Sequence, residues 1–253
     1  MSAAALIILI LLFFATSIVG VVTGSNSLIT VPVMFQFGID EKVAVATNMF
    51  GLTFMAVGGT IPFVRQGRLN YRGLAPIVLV TIVGSAAGAA LVGVITNYGL
   101  KLIVSIAMIA VAIFTLWRRD TGGEAGSAAQ PRTALVYILA FILAIYGGLY
   151  SGGYVTILTA MLVAFYAMPF GEAVGATKLI NVFSSLVATI VFMWQKLVDY
   201  KLGLILAAAM FAGAYIGAHY ATRMNETWLR RIFLSTVVLL AIKTLYDISG
   251  ALF

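Results

Sequence analysis

Six runs of apolar residues, each close to the roughly 20 that a helix needs to cross a bilayer, dominate this chain: 44–63, 74–96, 100–117, 177–194, 202–222 and 232–250. In water, such runs would expose more apolar surface than a chain of 253 residues can bury. With 62% hydrophobic and 9% charged residues, there is too little polar surface to wrap them. The solvent must be lipid, where each backbone polar group has to be satisfied inside the protein. The expected fold is an all-α polytopic membrane protein.

The runs fall into two related sets of three. Residues 66–117 lie over 195–246 without a gap: Gln66 meets Gln195, Tyr71 meets Tyr200, Arg72 meets Lys201, and Gly84 and Gly88 meet Gly213 and Gly217. Leu100-Lys101 meets Leu229-Arg230, and 112–117 meets 241–246. Ahead of each set lies a different kind of stretch, 4–37 and 133–170, interrupted midway by Thr23-Gly24-Ser25-Asn26-Ser27 and by Tyr150-Ser151-Gly152-Gly153-Tyr154. Each arm has about 14 to 18 residues, short of a full crossing, which suits an interrupted or re-entrant helix. Non-helical backbone at that depth must be buried in protein or line a cavity. The expected organisation is a first membrane repeat over 1–118, a polar cytoplasmic linker over 119–132 and a second repeat over 133–253. Each repeat then holds an interrupted element plus three transmembrane helices. Paired homologous halves are the usual architecture of secondary transporters, with substrate held where the halves meet.

Orientation follows from Lys and Arg. If each interrupted stretch enters and leaves on one side, the halves are inverted. One side then collects Arg65, Arg68, Arg72, Arg118, Arg119, Arg132, Arg223, Arg230 and Arg231, and the other keeps mainly Lys42, Lys101, Lys196 and Lys201. The first side is cytoplasmic by the positive-inside rule. A parallel arrangement flattens that contrast, so the inverted one is favoured.

A helix that starts at mid-membrane points unpaired N–H groups and the positive end of its dipole at whatever lies there. Gly24, Ser25, Asn26 and Ser27 in one half, and Ser151, Gly152 and Gly153 in the other, are therefore the leading candidates to hold an anion. The alternative role for small residues is close helix packing in lipid. A second matched element, Thr47-Asn48 against Thr177-Lys178, places Thr47, Asn48, Thr177, Lys178 and Asn181 on polar helix stripes that face a bundle interior. A cation inside a span is costly without a partner or ligand. Lys178 is either a ligand contact or, from its place at the start of a run, a side chain snorkelling to the interface. Gln66 and Gln195 are secondary candidates that suit interfacial caps equally well. His219, Asp40, Glu41 and Glu172 are open to proton or gating roles, with interfacial or loop solvation the plainer alternative. Lys243 and Asp247 have the spacing of an ion pair.

Several classes are set aside. No serine elbow, His-Glu metal spacing or phosphate-cradling loop is present, so neither an enzyme nor an ATP-driven pump is expected, and no cofactor or metal is called for. The +7 charge sits in short connectors where cytoplasmic loops collect basic residues, not in a nucleic-acid patch. There is no cysteine, hence no disulfide framework. The first run lacks a basic leader and a small-residue cleavage site, so a removable signal peptide is not expected.

The glycine-bearing broken first helix followed by Val31-Pro32, the Ala-Thr-Asn and Ala-Thr-Lys elements opening the next spans, and the two halves joined by a polar linker resemble the sulfite exporter TauE/SafE family. The likeness runs from Ser17 to about Tyr246. The family's glycine-rich start reads here Gly20-Val21-Val22-Thr23-Gly24-Ser25 and Gly147-Gly148-Leu149-Tyr150-Ser151-Gly152-Gly153, with Thr159 in place of the second proline. The resemblance implies a multi-pass protein of the bacterial inner membrane that exports a small sulfur-containing anion such as sulfite, sulfoacetate or a related organosulfonate. Alternating access would be driven by a proton or sodium gradient or by the substrate's own. A passive anion channel and a non-transporting scaffold are the alternatives.

Overall fold

The computed structural model describes residues 3–24, 26–66, 71–117, 133–166, 168–225, 227–228, 231 and 235. The expected linker, the run 232–250 apart from Ser235, with its Lys243 and Asp247, and Arg68, Arg230 and Ser25 lie outside these residues. Within them the chain is helical, in the order α1 (Ala3–Thr23), α2 (Ser27–Gln36), α3 (Glu41–Arg65), α4 (Tyr71–Val94), α5 (Asn97–Trp117), α6 (Thr133–Leu149), α7 (Tyr154–Phe165), α8 (Phe170–Trp194) and α9 (Tyr200–Ala221). Five of these, α1, α3, α4, α8 and α9, are long and apolar enough to cross a membrane.

Both interrupted stretches break at their small residues. Gly24 at φ 70° and Gly153 at φ 78° take the left-handed backbone that a side chain disfavours. Helices α2 and α7, at 10 and 12 residues, rise only about 15 to 18 Å at 1.5 Å per residue and cannot cross alone. Two sequence expectations are corrected. The first arm is longer than expected, because helical bonding continues to Gly24 N–H on the Gly20 carbonyl at 2.8 Å, giving α1 21 residues and enough length to span. Helix α8 begins at Phe170, on Pro169, well ahead of the apolar run, because Gly171, Glu172 and Gly175 dilute hydrophobicity without breaking helix.

Close packing depends on the matched glycines. In α4, a Cβ on Gly84 would lie 2.8 Å from the Phe141 carbonyl of α6, and one on Gly88 would collide with the Ile145 carbonyl. In α9, a Cβ on Gly213 would lie 2.5 Å from the Phe14 carbonyl of α1, and one on Gly217 would collide with that of Ile18. Each pair lets two backbones approach as lipid-embedded helices require. The order of contacts makes α1 run in the same direction as α9, and α6 in the same direction as α4. Helices α3 and α8 pack against each other, α3 also against α9 and α8 also against α4.

The ends are fastened by polar contacts. At one side, Gln66 donates from Nε2 to the Thr222 carbonyl at 2.7 Å and Arg65 reaches the Tyr215 hydroxyl at 3.4 Å. At the other, Asp40 caps α3 through the N–H groups of Lys42 and Val43, and Lys42 reaches the Gly93 carbonyl at 3.0 Å. On that side, too, the Asp199 N–H donates to Thr47 Oγ1 at 3.0 Å, and Gln195 Nε2 lies 3.3 Å from the carbonyls of both Ala89 and Ala90.

Candidate functional site

The two helix breaks meet. A Cβ on Gly24 would come within 2.6 Å of Val155, and Thr156 Oγ1 donates to the Thr23 carbonyl at 2.5 Å. Ser27 Oγ and Ser151 Oγ share a hydrogen bond of 2.7 Å, joining residues far apart in the chain. The Tyr150 hydroxyl donates to the Ser27 carbonyl at 3.0 Å, and the Tyr146 hydroxyl to that of Gly152. All this lies out of water, so each polar group needs a partner to offset its desolvation.

A polar network fixes the first break. Asn26 Nδ2 donates to Ser17 Oγ at 2.9 Å and Thr16 Oγ1 at 3.2 Å. Thr30 Oγ1 donates to Asn48 Oδ1 at 2.8 Å, and Asn48 Nδ2 to Ser27 Oγ at 2.9 Å. Ser27 and Ser151 carry two hydroxyl hydrogens and use one between them. With Asn48 on a Ser27 lone pair, one O–H remains to donate elsewhere.

Beside the breaks is a cavity of about 20 Å³, lined by Gly20, Gly24, Asn26, Ser27, Ser151 and Val155 of the breaks, Leu52, Met55 and Ala56 of α3, and Lys178 and Asn181 of α8. By the ~10–15 Å³ one water needs, it has room for one. Lys178 is only 3% exposed, and its ammonium touches the Gly20 carbonyl at 3.4 Å. No carboxylate partners it among the described residues. The snorkelling alternative is overturned: in an α8 that starts at Phe170, Lys178 lies on the third turn, buried among helices. Asn181, one turn on, is 6% exposed, and its amide has no hydrogen-bond partner among the described residues.

The candidate residues thus sort by place. Gly24, Asn26, Ser27, Ser151, Lys178 and Asn181 line the cavity, and Asn48 stands behind Ser27. Gly152 and Gly153 make the second turn. Thr47 faces the start of α9, while Thr177 pairs with Thr159 at 3.1 Å. Gln66 and Gln195 sit at the helix ends, away from the cavity. His219 stacks on Tyr215 near the end of α9, with ring centroids 6.5 Å apart. The sequence reading missed the apolar wall, although Asn48, Leu52, Met55 and Ala56 recur at helical spacing on one face of α3. It also missed Tyr146 and Tyr150, spaced one turn apart beside the second break.

Two buried helix breaks face a cavity whose cation has no carboxylate partner among the described residues, in a bundle with five helices long and apolar enough to cross a membrane, the build of a multi-pass membrane protein. The sequence pattern of the family described as sulfite exporter TauE/SafE matches residues 8–244, and the chain belongs to that family. It is similar to a probable membrane transporter protein, ORF9, of Sinorhizobium sp, 25% identical over 95% of this chain and 93% of the relative. A probable membrane transporter protein of Haemophilus influenzae is 23% identical over 96% and 95%. The probable membrane transporter protein YfcA of Escherichia coli K12 is 25% identical over 94% and 90%. No solved structure matches the chain.

Proposed function

We propose that this protein is a secondary transporter that carries a small sulfur-containing anion, of the sulfite or organosulfonate kind, out across the bacterial inner membrane by alternating access. The observation that carries the reading is the juxtaposition of two helix breaks with Lys178, a buried cation that no carboxylate partners among the described residues. An anion supplies the missing counter-charge, which is the condition under which a charge inside the bilayer is tolerated. Lys178 is the fixed charge, Asn181 and the Ser27–Ser151 pair donate hydrogen bonds, and the starts of α2 and α7 add their dipoles. Leu52, Met55, Ala56 and Val155 face the less polar part of the solute. A water-sized cavity favours a carrier that must open over a pore that stands open.

The halves, 1–118 and 133–253, form an inverted repeat in this reading. Its support is directional: α3 ends beside the end of α9, whereas its counterpart α8 ends beside the end of α4, on the opposite side. The side of Arg65 and Arg223 is then cytoplasmic, and that of Lys42, Lys101, Lys196 and Lys201 faces out. Energy comes from a proton or sodium gradient, or from the anion's own.

The test is flux into proteoliposomes with sulfite, sulfoacetate and taurine, with and without a proton gradient. Saturable flux of at least one of the anions is expected. Flux rising linearly with concentration would indicate a channel. Absence of flux, together with absence of any anion-dependent rise in melting temperature, would indicate a scaffold.

A further inference from the structure

Helices α3 and α8 meet the cavity with opposite chemistry. Each has 25 residues and ends on a glutamine cap, Gln66 or Gln195. Counted from those caps, Lys178 matches Met49, Asn181 matches Leu52 and Ser184 matches Met55. This register is one residue off the pairing of Thr47-Asn48 with Thr177-Lys178 that the sequence suggests. From α8 the cavity receives an ammonium and an amide, and from α3 it receives Leu52, Met55 and Ala56. The Asn48 side chain of α3 is taken up by Ser27 and Thr30. Among the described residues that line the cavity, none is a carboxylate.

A solute held there has one positive charge and its donors on one flank and hydrocarbon on the other, so a second charged group on it has no place. An ammonium would lie near that of Lys178 with no carboxylate lining the cavity to receive it. A second anionic group would lie against Leu52 and Met55, away from the cation. Either is a charge out of water without a partner. An alkyl group in the same place gains by leaving water. Room for it comes from Met55, whose terminal methyl reaches across to α1, 3.2 Å from where a Cβ on Gly20 would stand. Its unbranched thioether can turn aside without moving the helix.

Resting on the anion-site reading above, we infer that the site selects a solute with a single negative head group and an apolar remainder, a simple alkanesulfonate, over zwitterionic and doubly charged sulfonates. Leu52 and Met55, the apolar counterparts of Asn181 and Ser184, set this preference. Lys178 and Asn181 hold the head group, and the α3 wall reads what is attached to it.

Isothermal titration of the purified full chain at neutral pH with ethanesulfonate, taurine, sulfoacetate and sulfite tests this. The first three share a sulfonate and two carbons, and differ in whether the far end is an uncharged methyl, an ammonium or a carboxylate. Ethanesulfonate is expected to bind at least tenfold more tightly than taurine or sulfoacetate. Leu52→Asn, which repeats Asn181 on the α3 wall, should shrink that preference at least threefold, and Met55→Ser, which repeats Ser184, should shrink it in the same direction. Taurine or sulfoacetate bound as tightly as ethanesulfonate overturns the inference, as does binding of sulfite alone. An unchanged preference in whichever of the two variants folds overturns the role given to the α3 wall. A folded wild type that binds none of the four solutes overturns instead the anion-site reading on which the inference rests.

Discussion

The Lys178 ammonium meets the Gly20 carbonyl, and the cavity it lines is shared with Asn181 and the apolar wall of Leu52, Met55 and Ala56. One hydrogen bond to a carbonyl satisfies one of three ammonium donors and none of its charge. In the proposed reading, an anion in the cavity completes it. Replacing Lys178 with Ala is therefore expected to weaken anion binding by about 2 kcal/mol or more, roughly 30-fold. Lys101→Ala, far from the cavity on an exposed side chain, should leave binding unchanged. Equal losses in a purified-protein binding assay would defeat the assignment. The glycines of positive φ give a second comparison. A Cβ at Gly38 meets nothing within 4 Å, whereas one at Gly24 runs into Val155 at 2.6 Å. Gly38→Ala carries only the conformational cost, about 1 kcal/mol. Gly24→Ala adds overpacking of about 1–3 kcal/mol, and its melting temperature in detergent should fall clearly further. Comparable falls would mean that the two breaks are not pressed together.

Among the elements, the matched glycines of α4 and α9 hold α6 and α1 at contact distance. Gly88→Leu and Gly217→Leu each drive a side chain into a facing carbonyl, so both should lower stability, and by similar amounts, whereas Gly93→Leu, on the exposed end of α4, should cost less. Thermal unfolding of the three variants decides this; a Gly88→Leu variant as stable as Gly93→Leu would show that α4 and α6 can separate freely. These elements also show what a sequence can and cannot reveal. The breaks were legible because Gly24, Ser27, Ser151 and Gly153 interrupt apolar runs that lipid otherwise keeps helical. The start of α8 was not, since Gly171, Glu172 and Gly175 read as a connector until Pro169 is seen to cap the helix. From the sequence Lys178 lies near the start of its run and is open to ligand contact or to snorkelling alike; the structure puts it on the third turn of α8. Gln66 and Gln195 were visible as a matched pair, but their partners are the carbonyls of Thr222, Ala89 and Ala90, which carry no side-chain signature. The partnership of Ser27 with Ser151 depends on how α2 and α7 are brought together, which no local pattern encodes.

At the scale of the whole molecule, alternating access requires the cavity to open to one side and then the other, and the matched glutamines stand where such openings would part. Gln66 ties the end of α3 to the end of α9, and Gln195 ties the end of α8 to the end of α4. Each clasp joins a helix of one half to a helix of the other, and the clasps lie on opposite sides of the bundle. Their geometries differ: Gln66 makes one contact of 2.7 Å, whereas Gln195 divides its amide between two carbonyls at 3.3 Å and leaves Oε1 buried without a partner among the described residues. The Gln66 side is thus the firmer closure. Removing a net hydrogen bond shifts a conformational equilibrium by about 0.5–1.5 kcal/mol, several-fold in population. The chain contains no cysteine, so Ala56→Cys on the cavity wall would be the sole thiol and report access to a membrane-impermeant reagent applied from either side. Gln66→Ala should raise labelling from the side of Arg65, and Gln195→Ala from the side of Lys196, with the larger increase for Gln66→Ala because the firmer clasp is lost. Increases from the same side in both variants, or from neither, would exclude the glutamines as opposed closures and leave the two halves without the mirrored gating that an inverted repeat demands.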